Sequence, residues 1–246
     1  MEFQIRRENW KNFCNLIRDS SLPYFDRDFK SRSLIGEIAH PLYLFAYCEH
    51  IFNGDKINSI TVEFPHYRDY PVRENELIKI VKEERILLEK DGKIIGRIFA
   101  HQKKINYKEK TVKMYKEERT ISKENIIKFF NLIEISENEI EPYIYSEKFE
   151  LKDYIKKKKK VANGKFKPYT YLPCLASGII TDYLRKEDAM GIPVFMSINF
   201  IKPYELGKIE IMLNEKQLAF EEKEFKINWR QNKEIIAYGE AFISIL

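Results

Sequence analysis

Gly36-Glu-Ile-Ala-His-Pro41, running on through Leu42-Tyr-Leu-Phe-Ala-Tyr-Cys-Glu-His-Ile-Phe52, is the stretch on which the fold turns. A glycine-led turn opens into a run of helical length that is apolar nearly all round. A surface helix shows one apolar stripe, whereas a helix apolar on every side is covered on every side. Asn53-Gly54 closes the run as a C-cap does. Downstream, Ile57 to Phe64 reads as a strand, with Pro65 and a Tyr/Pro-containing bend leading to Val72. Then come ELIKIVKEERILLEK, the turn Asp91-Gly92, and the strand Lys93 to Ala100. Asp-Gly between β-rich runs is a strong hairpin signal.

The same order of features returns later in the chain. Pro173 to Leu184 is a second apolar helix, with Gly191 beyond its end. Ile192 to Phe200 is its strand, IKPYELGKIEIML follows, and two long strands flank Gln231-Asn232. A helix-like lead-in precedes each unit, Glu8 to Ile17 in the first and Ser122 to Ile133 in the second. Ser122 has the character of an N-cap. A long central helix followed by antiparallel strands, present twice, predicts an α+β fold. The expected organisation is a first unit over 1–105, a charge-rich linker over 106–118 and a second unit over 119–246.

Upstream of the glycine-led turn lies Asp19-Ser-Ser-Leu-Pro-Tyr-Phe-Asp26. Together these segments resemble the MaoC-like (R)-specific enoyl-CoA hydratases of the hot-dog fold. That family's loop reads D-x-N-P-x-H-x-D and its later turn G-G-P-I-A-H-G. Asp19 falls on the catalytic aspartate and Asp26 on the second one. Ser21 stands at the Asn, Leu22 at the Pro, and Tyr24 at the catalytic His. In the turn, Glu37 replaces Pro and Pro41 replaces Gly. The resemblance covers most of residues 8–100 and extends more faintly over 120–246. It implies a double hot-dog, two long central helices each wrapped by an antiparallel sheet and packed as an intrachain pseudo-dimer.

The resemblance also implies a chemistry. Hydrating an enoyl thioester needs a base for water, an acid for the α-carbon and a donor for the thioester oxygen. In the family an Asp/His pair moves the protons, and amides at the head of the central helix hold the oxygen. Carried onto this chain, the catalytic positions are Asp19, Tyr24 and His40. The substrate-binding positions are Ser21, Gly36, Ala39, Pro41 and Leu42. Two departures weaken the pattern. A phenol is a poor base beside imidazole at neutral pH, and Pro41 has no N–H to offer. His40 either replaces the missing histidine or caps and packs the helix start. The second unit contains no histidine. Its loop reads Glu134-Ile-Ser-Glu-Asn-Glu-Ile-Glu-Pro142, and Leu172-Pro173 stands in place of His40-Pro41. Its expected part is to complete the fold by packing against the first unit and to line an acyl tunnel.

Three functions follow from this resemblance. One is an acyl-CoA or acyl-carrier-protein binding hydratase or dehydratase of fatty-acid metabolism. The second is a silent acyl-binding subunit paired with an active hot-dog chain, and the third a thioesterase. A homodimer or such a hetero-complex is the expected assembly. No cofactor and no metal are expected.

Composition agrees with a folded chain. Of 246 residues, 44% are hydrophobic and only nine are Gly and nine Pro, too rich in apolar residues for a disordered chain. Cys14, Cys48 and Cys174 are odd in number and widely spaced, which argues for isolated buried thiols. No run approaches a membrane span and the N-terminus lacks a signal-peptide pattern, so a cytoplasmic protein is expected. Phosphate-loop and nucleophile-elbow motifs are absent, and Ser177-Gly178 reads as a close-packing point within its helix. Net charge is +5, and the lysine run Lys156 to Lys160 reads as a solvated excursion, not a nucleic-acid site.

Overall fold

The computed structural model of the chain describes residues 1–31, 34–52, 57–101, 115–134, 168–219 and 221–246. Strand β1 (Glu2–Gln4) leads into helix α1 (Arg7–Ile17). Trp10, Phe13, Cys14 and Ile17 of α1 are buried, the spacing of one helical face. After a 3₁₀ turn at Leu22–Tyr24 come the small hairpin β2 (Lys30–Ser31) and β3 (Leu34–Ile35) and two short helices, α2 (Pro41–Ala46) and α3 (Glu49–Phe52). Four strands follow: β4 (Ser59–Glu63), β5 (Leu77–Lys82), β6 (Ile86–Lys90) and β7 (Lys93–His101).

The second unit repeats the plan. Strand β8 (Tyr115–Ile121) leads into α4 (Lys123–Leu132), whose first turn is capped by Ser122 accepting from Asn125 N at 3.1 Å. Helix α5 (Tyr171–Lys186) is followed by β9 (Gly191–Phe200), β10 (Gly207–Ala219), β11 (Glu222–Gln231) and β12 (Glu234–Ile245).

One sheet holds both units, in the order β1-β5-β6-β7-β4-β9-β12-β11-β10-β8. Read outward from the centre, each side runs through the same succession of that unit's strands. The halves join where β4 pairs antiparallel with β9, from Ser59 opposite Asn199 to Glu63 opposite Phe195. A shared sheet centre with mirrored strand order makes the chain a pseudo-dimer in one covalent piece. Helices α2 and α5 pack on each other and on β9, and α1 packs on α4 and α5.

Local chemistry accounts for the hairpins. Asp91 and Gly92 both have positive φ (50° and 73°), joining Lys90 to its partner Lys93. Asn232 and Lys233 do the same between Gln231 and Glu234. Two central residues with φ > 0 make the turn whose twist matches the strands. The first central helix differs from the expected single run of 41–52. It breaks at Tyr47-Cys48 into α2 and α3, though Pro41 to Glu49 are all buried. Residues 115–118, expected at the end of the linker, form the start of β8 and pair with β10. Asn53-Gly54, 135–142 and Lys156 to Lys160 lie outside the described residues. All three cysteines are free and buried. Among the described residues no helix is long and apolar enough to cross a membrane, and no cluster of acidic, His or Cys side chains is set to hold a metal.

Candidate active site

Helix α1 ends on Arg18, whose φ of 61° is left-handed. Turned by that residue, the next amide, Asp19 N, donates to Cys14 O at 2.8 Å, and the Asp19 side chain lies in the interior, 2% exposed. The other arm of the site comes through the glycine-led turn. Gly36 takes φ 76° with its amide on Phe29 O, and Ala39 N donates to Val72 O at 2.7 Å. These bonds set His40 as the residue before α2.

His40 acts on both sides of its ring. Nδ1 accepts the Leu42 amide at 3.0 Å, capping α2. An acceptor nitrogen carries no hydrogen, so Nε2 holds the ring proton and donates it to Asp19 Oδ2 at 3.0 Å. Ser21 donates twice to Asp19 Oδ1, from its amide at 3.1 Å and its hydroxyl at 2.8 Å. Helix α5 supplies the rest. Ser177 Oγ lies 3.3 Å from Asp19 Oδ2 and 3.2 Å from His40 Nε2, and Thr181 Oγ1 lies 3.3 Å from Ser21 Oγ. Burial alone would raise the Asp19 pKa; the hydrogen bonds from His40 and Ser21 outweigh it and hold the carboxyl below its ordinary range.

Gly178 explains how α5 comes so near. A Cβ there would stand 1.8 Å from the carbonyl oxygen of Ile17, so only glycine lets α5 cross the end of α1 at this distance. The close-packing role expected for Ser177-Gly178 is met by Gly178, while Ser177 turns into the site. Ser177 and Thr181 went unread as functional positions. Their signal is a pair of small hydroxyls four residues apart, one face of an otherwise apolar helix.

Tyr24 is fully buried, its ring centroid 4.4 Å from that of His40. Its carbonyl accepts Trp10 Nε1 at 3.1 Å, but its own hydroxyl has no partner among the described residues. Burial, reinforced by the Asp19 charge, pushes the phenol well above its ordinary pKa. A buried hydroxyl left unpaired costs about 1–3 kcal/mol, so such a group calls for a reason.

The remaining sequence positions divide clearly. Asp26, set on the family's second aspartate, is half-buried and accepts Asp28 N within its own turn, apart from the dyad. The helix head offers few donors. Pro41 has none, Leu42 N is on His40, and the amides of Gly36 and Ala39 are engaged with Phe29 and Val72. Glu37 pairs with Arg7 at 2.5 Å and Lys11 at 2.7 Å, and these cations overcome its burial to hold it below the usual carboxylate range. It ties the turn to α1. His66 and His101 are exposed, and His50 Nε2 bonds Ile133 O at 2.6 Å, away from Asp19.

A cleft of about 280 Å³ is lined by Ser21 and Thr181, with Leu22, Leu184, Arg185 and Met190 among its other walls; Asp19 and His40 are not among them, and Ser21 links the cleft to Asp19 by its hydrogen bonds. Beside it lies a wider depression of about 530 Å³ bordered by Tyr115, Glu117, Asp182, Arg185 and Lys186. Arg185 borders both. The cleft is mostly apolar, with Arg185 as its cation and Asp182 beside it, while Ser21 carries its polar wall toward Asp19.

Neither a family model nor a curated protein matches the sequence. Solved structures do match. A MaoC-like dehydratase superposes with a TM-score of 0.59 at 10% identity, over 99% of this chain and 95% of its own. The MaoC-like dehydratase of Phytophthora capsici gives 0.56 at 12%, over 99% and 94%. The peroxisomal multifunctional enzyme type 2 of Drosophila melanogaster gives 0.57 at 8%, over all of this chain and 48% of its own. The chain has the double hot-dog fold of the MaoC-like dehydratases. At such identities the likeness is one of fold, and function has to be argued from the site. Within this double hot-dog, α2–α3 and α5 are the two central helices, and the polar network is built where the head of the first meets the flank of the second.

Proposed function

We propose that this double hot-dog binds an acyl thioester, linked to coenzyme A or to an acyl carrier protein, and catalyses hydration or dehydration beside Asp19. The single observation that supports the reading is the buried Asp19–His40 pair at 3.0 Å, whose partner Ser21 lines a cleft of about 280 Å³. His40, from the helix head, supplies the imidazole that the loop lacks at Tyr24. Asp19 is the base, because it is the ionised group, and His40 positions it.

In the hydration direction Asp19 takes a proton from water as the water oxygen bonds to C3 of the enoyl group. The C2=C3 electron pair moves toward C1, leaving an enolate oxygen on the thioester. That enolate then takes the proton back from Asp19 at C2, giving the 3-hydroxyacyl thioester with nothing left over. The cleft volume lies at the low end of ligand pockets, roughly 300–1,000 Å³, which favours short acyl chains.

A second reading has its own support. Asp19 and His40 are almost wholly covered, and both ring nitrogens and both carboxylate oxygens already have partners. A network so fully satisfied suits a chain that binds acyl groups, or scaffolds an active hot-dog partner, without turning them over. The separating experiment follows enoyl absorbance and free thiol with crotonyl-CoA. Loss of absorbance without thiol release, abolished in Asp19→Asn while the fold is kept, supports the hydro-lyase. Thiol release would make it a thioesterase. Saturable binding without turnover would leave the silent subunit.

A further inference from the structure

We propose that the Tyr24 hydroxyl is the hydrogen-bond donor for the substrate's thioester oxygen, a role that rests on the reading of Asp19 as the base. The reaction places negative charge on that oxygen, and a site that lacks a donor there cannot stabilise it. Two of the amides that flank His40 are already engaged. Ala39 N is held by Val72 O and Leu42 N by His40 Nδ1, and Pro41 has no N–H. Tyr67, the other buried tyrosine near the turn, donates its hydroxyl to Ala39 O at 2.8 Å. Ser21 donates to Asp19. Among the described residues this leaves Tyr24 Oη, fully buried and unpaired, as the free side-chain donor beside His40.

The ring is held for the task. Trp10 Nε1 fixes the Tyr24 carbonyl at 3.1 Å, and the His40 ring packs against it at a tilt of 42°. Three residues earlier, Ser21 lines the cleft, so the same short turn carries the substrate wall and the donor. Burial, with the charge of Asp19 added, keeps the phenol protonated, which rules it out as a base and preserves it as a donor. The electrostatics also close. When Asp19 has taken the proton of water, the negative charge sits on the enolate oxygen, and a neutral phenol can meet it without a second ionisation.

The test is Tyr24→Phe, measured in the full chain for both crotonyl-CoA turnover and thermal stability. The donor role predicts a fall of about 100-fold in kcat, with KM changed far less, because the bond forms as charge develops. It also predicts a Tm that rises by about 2–4 °C, since an unpaired buried hydroxyl is removed. A structural role moves both readouts down together, and that result overturns the proposal. Wild-type turnover that is lost in Asp19→Asn but within threefold of normal in Tyr24→Phe overturns the donor role alone. No turnover in the wild type removes the proposed reaction, and this role with it.

Discussion

The two units end their first helix in the same way and part at the next residue. Asn15-Leu16-Ile17 is followed by Arg18 at φ 61°, and Asn131-Leu132-Ile133 by Glu134 at φ 62°. Asp19 comes next in the first unit, Ile135 in the second. The central helices diverge in a matching way. Ser177 and Thr181 lie four and eight residues past Pro173, and the residues four and eight past Pro41 are Phe45 and Glu49. One duplicated frame has therefore placed two hydroxyls on the second unit's helix, and its carboxylate, its imidazole and the Ser21 hydroxyl on the first unit's loop and helix head. The site exists only where the two meet. Duplication lets the halves specialise because each needs to keep only the packing faces, while the polar residues at the crossing are free to differ.

If that crossing makes the site, the residue that permits it carries the largest effect. Gly178→Ala puts a Cβ 1.8 Å from the Ile17 carbonyl oxygen, a backbone atom with little room to yield. We expect a loss of about 3–4 kcal/mol, read as a Tm lower by about 10 °C, with the Asp19–Ser177 contact broken. A Tm within 2 °C of wild type would show that α5 can step back from α1 without cost, and the account of the crossing would fail.

Two buried carboxylates sharpen the comparison, because they respond to pH in opposite directions. Asp19 lies below its ordinary range in the folded chain, so its contribution is present above that range and disappears as pH falls through the folded value. Glu49, in α3, caps the start of α5: it accepts Tyr169 N at 3.0 Å, Thr170 N at 2.9 Å and Thr170 Oγ1 at 2.7 Å. Burial still outweighs those bonds and raises its pKa to about 7. A raised carboxyl contributes fully below its ordinary value near 4.5 and loses that contribution as pH climbs through 7. Glu49→Gln cannot titrate. Its stability relative to wild type should therefore improve by about 3 kcal/mol between pH 4.5 and pH 8, as read by chemical unfolding at each pH. A gap that stays flat across that range would mean that the capping bonds, and not burial, govern Glu49.

What could be read from the chain alone was whatever depends on neighbours in sequence. The Asp91-Gly92 turn and the Ser122 cap each carry their reason within a few residues. The break at Tyr47-Cys48 was not legible, because a run apolar on all sides has no periodicity that an interruption could disturb. His40 shows the limit most clearly. Its capping of α2 is local and was foreseen as one of two readings; its bond to Asp19, 21 residues away, depends on the Gly36 turn and on Arg18 turning the chain. Ser177 and Thr181 depend on a helix crossing between units, which no local pattern announces. The unpaired hydroxyl of Tyr24 is a property of its surroundings and has no sequence signature at all.

The smallest expected effect tests whether the two helix ends are truly alike. Arg18 and Glu134 both hold left-handed backbone, which costs an L-residue about 1–2 kcal/mol and costs glycine nothing. Glycine brings its own penalty, roughly 0.5–1 kcal/mol of added freedom in the unfolded chain. The balance leaves Arg18→Gly and Glu134→Gly each about 0.5 kcal/mol more stable than wild type, a Tm higher by 1–2 °C in either half. Equal gains would mean that both residues serve only to turn the chain, and that the units differ first at Asp19 and Ile135. A gain at 134 with a loss at 18 would assign the Arg18 side chain a part in holding the loop. The specialisation of the first unit would then begin one residue earlier, at the turn itself.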